Sequence, residues 1–92
     1  MEHFAETPTW SQYANLLGSS LRHLRLGRGL SQEQVAMAAG ISRYTYQKFE
    51  KGESRPGTSA NPSLQNVLAL SQVFGVPIEE LLPSTPPDLS DR

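Results

Sequence analysis

The 92-residue sequence has no cysteine and only two histidines, His3 and His23. Without thiols there is no disulfide framework and no thiolate metal site, which suits a reducing compartment. A metal site needs more ligands than two scattered histidines offer. No Ser-His-Asp set orders itself around them, no pair of carboxylates stands out, and no glycine-rich phosphate loop is present. Catalysis is therefore not expected, and neither a cofactor nor a metal is implied. No apolar run approaches the ~20 residues of a membrane span. The start, MEHFAETPTW, lacks a basic stretch followed by an apolar one. The expectation is a soluble, unexported, cytoplasmic protein with room for one domain.

The net charge is only −1, but it is unevenly spread. Between residues 17 and 63 stand Arg22, Arg25, Arg28, Arg43, Lys48, Lys51 and Arg55, opposed by Glu33, Glu50 and Glu53. The two ends are acidic, through Glu2 and Glu6 on one side and Glu79, Glu80, Asp88 and Asp91 against Arg92 on the other. The field that binds phosphate is short-ranged at physiological salt, so a local basic patch matters more than the net charge.

Residues 1–9 show no clear period and contain Pro8; they are expected to be flexible up to Thr9. Thr9 and Gln12 then form a capping box. Trp10, Tyr13, Ala14, Leu17, Leu21 and Leu24 follow on one apolar stripe. The spacing predicts a helix over 10–28 ending at Gly29, or two pieces broken near the helix-weakening Gly18. Leu30 to Gly52 reads as two short helices around a turn at Gly40. Ser31 and Gln34 make a second capping box, and Val35, Ala36 and Ala39 form a narrow, small apolar face. Gly40 can adopt the left-handed conformation that ends a helix within one residue. Ile41 plugs the turn, Ser42 caps the next helix over 42–51, Tyr46 and Phe49 face inward, and Gly52 stops it. The segment ESRPGTSANP is rich in turn formers and is expected to be an exposed loop. Asn61 or Ser63 can cap the helix after it, and Pro62 suits its first position. Leu64, Val67, Leu68, Leu70, Ser71 and Phe74 predict a broadly buried helix ended by Gly75. A short last helix follows Val76-Pro77, with Ile78, Leu81 and Leu82 inward. The domain is expected to span 10–83, with a disordered tail over 84–92.

The Ser-Gln helix start, Ala36, Gly40, Ile41-Ser42 and Phe49-Glu50-Lys51-Gly52 resemble the phage-repressor/Cro-like (XRE) family of helix-turn-helix proteins. LGSSLRHLRLGRGLSQ and NPSLQNVLALSQVFGVPIEELL are similar to its first, fourth and fifth helices, so the resemblance covers about 17–83. It implies an all-α fold, a compact five-helix lambda-repressor-like domain here carrying an N-terminal helical extension. Tyr46 departs from the pattern, standing where a smaller aliphatic residue is usual; its bulk would widen the core or push the second motif helix outward.

The resemblance further implies a sequence-specific transcriptional regulator, a repressor, bound to a double-stranded operator in the nucleoid as a homodimer. Helix 42–51 would enter the major groove with its first residues on base edges. Gln32 would grip a phosphate and brace that helix. Arg43 can donate twice to guanine, and Gln47 can pair with adenine one turn later. Tyr44 and Thr45 would meet a thymine methyl or a phosphate, Lys48 a phosphate or a base, and Ser42 the start of the same face. Arg55 would reach the backbone or the neighbouring minor groove. Glu50 resembles a structural residue that pairs with an arginine of the first helix. Phe4, Trp10 and Tyr13 either fold back on the core or are buried against a partner subunit. A helix-turn-helix fold also serves protein recognition, so an antitoxin, or a module that binds a toxin or co-regulator, is the alternative. The polar, cation-bearing face of 43–48 favours DNA.

Overall fold

A computed structural model describes residues 7–90. Five helices follow in order: α1 (Trp10–Gly27), α2 (Gln32–Ala39), α3 (Arg43–Lys51), α4 (Leu64–Phe74) and α5 (Ile78–Leu81). Two short antiparallel strands, β1 (Glu53–Arg55) and β2 (Thr58–Ser59), lie between α3 and α4. Phe4 and the start of the expected flexible N-terminus lie outside the described residues.

Helix α1 is continuous through Gly18, and the reason is on its neighbour. A Cβ at residue 18 would collide with the backbone carbonyl oxygen of Glu50 and lie 2.7 Å from that of Phe49. Gly18 is thus the point where α3 lies directly on α1, and the contact offsets the helix-weakening cost of glycine. Thr9 and Gln12 close the expected capping box at the start of α1, and Ser31 and Gln34 do the same for α2.

The core gathers Leu17 and Leu21 from α1, Val35 and Ala36 from α2, and Tyr46 and Phe49 from α3. Ala60 after the strands, Val67, Leu70 and Phe74 of α4, and Leu81 of α5 complete it. The bulk of Tyr46 is taken up inside this core, where the residue is wholly buried. Among the described residues its hydroxyl makes no hydrogen bond, although it lies beside the Arg25–Glu50 pair. Trp10 and Tyr13 stack on each other at 5.8 Å between ring centroids and are half-buried, outside the main cluster. Ser20 Oγ donates to the carbonyl of Leu81 at 2.9 Å, tying α1 to α5.

Several expectations need correction. The segment 53–62 is not a plain loop: its first part is a hairpin closed by Pro56-Gly57, with Gly57 at φ 80°. Proline followed by a residue of positive φ is the demand of a type II turn. Strands of three and two residues, without apolar alternation, leave no period to find. Of the two caps expected for α4, Ser63 is the one used, so Pro62 stands just outside the helix instead of at its first position. Its buried face is also narrower, since Leu64 is 69% and Leu68 42% exposed. After α5, residues 82–90 carry no helix or strand.

Candidate nucleic-acid interface

The turn between α2 and α3 sets the geometry of this surface. Gly40 takes φ 76°, and the N–H of Ile41 donates to the carbonyl of Ala36 at 3.0 Å. That closes α2 and redirects the chain within two residues. Ser42 then caps α3: its Oγ accepts from the N–H of Thr45 at 3.0 Å and donates to Thr45 Oγ1 at 2.9 Å.

The inner face of α3 is pinned by Tyr46 and Phe49 and by Glu50. Arg25 of α1 donates to Glu50 through Nε at 2.6 Å and Nη2 at 3.0 Å, and through Nη1 to the carbonyl of Leu30 at 3.1 Å. Gln32 at the start of α2 donates its amide to Glu50 Oε1 at 3.0 Å. Burial alone would raise the Glu50 carboxyl, but Arg25 first, then the neighbouring Tyr46 hydroxyl and the Gln32 amide, outweigh it and hold it below the ordinary carboxylate range. The Arg25 guanidinium is raised, first by its hydrogen bonds to Glu50. One carboxylate therefore locks three helices together. The expected arginine partner of Glu50 is Arg25, and the bracing role of Gln32 is visible as a direct bond.

The outer face of α3 carries Arg43, Tyr44 and Gln47, all exposed. Arg43 and Gln47 are one turn apart on the same side. Tyr44 is 66% exposed, and the Lys48 ammonium lies over its ring at 4.1 Å from the centroid. Thr45 is half-buried. Two open clefts flank the helix. One is bounded by Arg22, Gln32, Glu33 and Arg43. The other lies between α3 and the hairpin, bounded by Tyr44, Gln47, Lys48, Lys51 and Arg55. Arg55 is exposed beside the hairpin turn, its Nε 3.4 Å from Thr58 Oγ1.

The sequence-predicted residues thus fall on one surface, with distinctions that spacing did not show. Ser42 and Thr45 spend their hydroxyls on the cap. Two arginines counted in the basic patch are structural instead: Arg25 serves Glu50, and Arg28 sits over the Phe74 ring at 5.7 Å while donating to the carbonyl of Leu24. Arg22 and Lys51, counted only as charge, border the clefts. The signal for Arg22 was its place three residues before Arg25, on a neighbouring part of the α1 surface. Among the described residues there is no cluster that could hold a metal ion and no helix long and apolar enough to cross a membrane.

Residues 16–83 match the family model described as a helix-turn-helix domain. The chain is 34% identical over 77 residues to the cryptic phage CTXphi transcriptional repressor RstR of Vibrio cholerae, covering 84% of this chain and 64% of that protein. It thus spans less than two thirds of that relative's length. Among solved structures, it is similar to the restriction-modification controller protein C.AhdI from Aeromonas hydrophila. The TM-score is 0.66 at 33% identity, over 75% of this chain and 96% of that one. The DNA-binding domain of BldD gives a TM-score of 0.64 at 31% identity, covering 79% and 97% respectively. With the capped helices, the Gly40 turn and the pinned second helix in place, the chain belongs to the helix-turn-helix family, in its phage-repressor/Cro-like (XRE) branch.

Proposed function

We propose that the chain is a sequence-specific DNA-binding transcriptional regulator, a repressor, that places α3 in the major groove as one half of a homodimer. The observation that carries this is the division of α3. Its inner face is fixed by Tyr46, Phe49 and the Arg25–Glu50 pair, while Arg43 and Gln47 project from the outer face. A helix held on one side and polar on the other suits base-edge readout.

In this reading Arg43 donates twice to guanine O6 and N7, and Gln47 pairs with adenine one turn on. Gln32 has a second amide hydrogen beyond the one given to Glu50. That hydrogen, with the backbone N–H groups of the first turn of α2, suits a phosphate. Arg22, Lys51 and Arg55 add backbone contacts, which orient the protein but specify little. Ser42 and Thr45 act through the cap that aims Arg43. One recognition helix reads only a few base pairs, so two-fold dimers on paired half-sites about one helical turn apart are the fitting arrangement. The naming of RstR as a repressor supports repression: an occupied operator can exclude polymerase, whereas a well-placed one can recruit it.

Selection from a random duplex pool by the purified chain tests this. An enriched inverted repeat is expected. A pool indistinguishable from its input, with only weak binding that salt abolishes, would overturn the reading in favour of a protein partner such as a toxin or co-regulator.

A further inference from the structure

Tyr44 and Lys48 are one helical turn apart, and side chains on a helix lean toward its N-terminus. The Lys48 stem therefore runs back over Tyr44, and its ammonium stands 4.1 Å from the ring centroid. That is well inside the ~6 Å over which a cation is held by an aromatic face. Lys48 is half-buried, although a lysine has a flexible four-carbon stem that could extend freely into water. The contact has two consequences. The ammonium is drawn onto the ring and away from independent search among bases. The ring, 66% exposed, is held at the second position of α3, next to Arg43.

What the pair shows to a groove is aromatic surface. Base edges in the major groove are donors and acceptors with one apolar exception, the C5-methyl of thymine. Resting on the DNA-binding reading above, we propose that Tyr44 and Lys48 act as a unit that reads a thymine methyl. Tyr44 makes the contact, and Lys48 is the positioning residue that fixes its ring. Guanine recognition by Arg43 and methyl recognition by Tyr44 then fall on neighbouring bases.

The test uses the full chain on the duplex it selects, with each thymine replaced in turn by deoxyuridine, which removes the methyl alone. In each half-site, replacement of one thymine is expected to weaken wild-type binding about fourfold, the worth of one buried methyl. Tyr44→Ala should bind thymine and deoxyuridine at that position equally. Tyr44→Phe should keep the discrimination. Lys48→Met should lose most of it, and Lys48→Arg should restore it, because guanidinium also binds an aromatic face. All four side-chain changes lie on the outer face of α3, and thermal melting verifies folding. A wild type indifferent to every deoxyuridine would overturn the proposal while sparing the DNA-binding reading. Full discrimination retained in Tyr44→Ala would overturn it too, assigning the methyl contact to another side chain. Full discrimination in Lys48→Met would overturn the coupling. Failure to select any sequence would bring down both this proposal and the reading beneath it.

Discussion

Arg25 and Glu50 meet in a two-point clamp across the α1–α3 contact, at 2.6 and 3.0 Å, with side chains only 12% and 6% exposed. Because Gln32 shares the same carboxylate, the clamp fixes the angle of α3 against both preceding helices. Removing one member of such a buried pair leaves the other charge unpaired, which costs about 3 kcal/mol. Glu50→Gln is expected to lose that much stability in urea unfolding at neutral pH. It should also bind DNA more weakly, since α3 loses its reference. An unchanged midpoint would show the pair to be neutral.

The same pair has a pH signature. The folded Glu50 carboxyl lies below the ordinary range, and the unfolded chain titrates near the usual glutamate value of about 4.3. The unfolded state therefore binds the proton first as pH falls, and stability is lost in that direction. The contribution is complete above about pH 5 and disappears as pH drops through the lower folded value. The stability gap between wild type and Glu50→Gln should be wide at neutral pH and shrink in acid. A gap independent of pH from 7 to 3 would contradict the account.

Gly18→Ala gives a prediction against helix propensity. In an isolated helix alanine would gain about 1 kcal/mol over glycine. Here the added methyl meets the carbonyl oxygens of Phe49 and Glu50, and overpacking of this kind costs about 1–3 kcal/mol. The variant should melt at a lower temperature than wild type. A higher melting temperature would mean that α3 shifts freely.

Tyr46 offers the opposite sign. Burial, and next the neighbouring Glu50 carboxylate, push its phenol far above the ordinary range, so it stays neutral. Among the described residues its buried hydroxyl makes no hydrogen bond, and deleting an unsatisfied polar group is neutral or stabilising by up to about 1 kcal/mol. Tyr46→Phe is expected to hold or raise the urea midpoint. A loss above about 1 kcal/mol would show that the hydroxyl is bonded to Glu50 in solution.

Arg55 separates positioning from reading. Arg55→Ala should weaken binding to all sequences alike and lower the salt slope by about one, as loss of a phosphate contact does. A change confined to one base pair would assign Arg55 to a groove instead.

Much of this was legible in the chain because helices announce themselves through caps and period. Thr9-Gln12 and Ser31-Gln34 mark two helix starts, Gly40 the turn, and Tyr46 with Phe49 the buried side of α3. The hairpin was not legible, since β1 and β2 hold five residues with no apolar alternation and are closed by Pro56-Gly57. The exposure of Leu64 and Leu68 was missed because side-chain type sets a preference, while neighbours decide burial. The separation of Arg25 and Arg28 from the cations that border the clefts was invisible for the same reason. Charge can be counted along a sequence, but the partners Glu50 and Phe74 come from distant elements.

The central claim is that α3 reads bases beginning with Arg43, and it is tested most directly by selecting DNA in parallel with wild type and Arg43→Ala. The account predicts that the variant enriches a related repeat whose preference is relaxed at one guanine per half-site, with a loss there of about 1–3 kcal/mol. Identical preferences at every position in the two selections would contradict it.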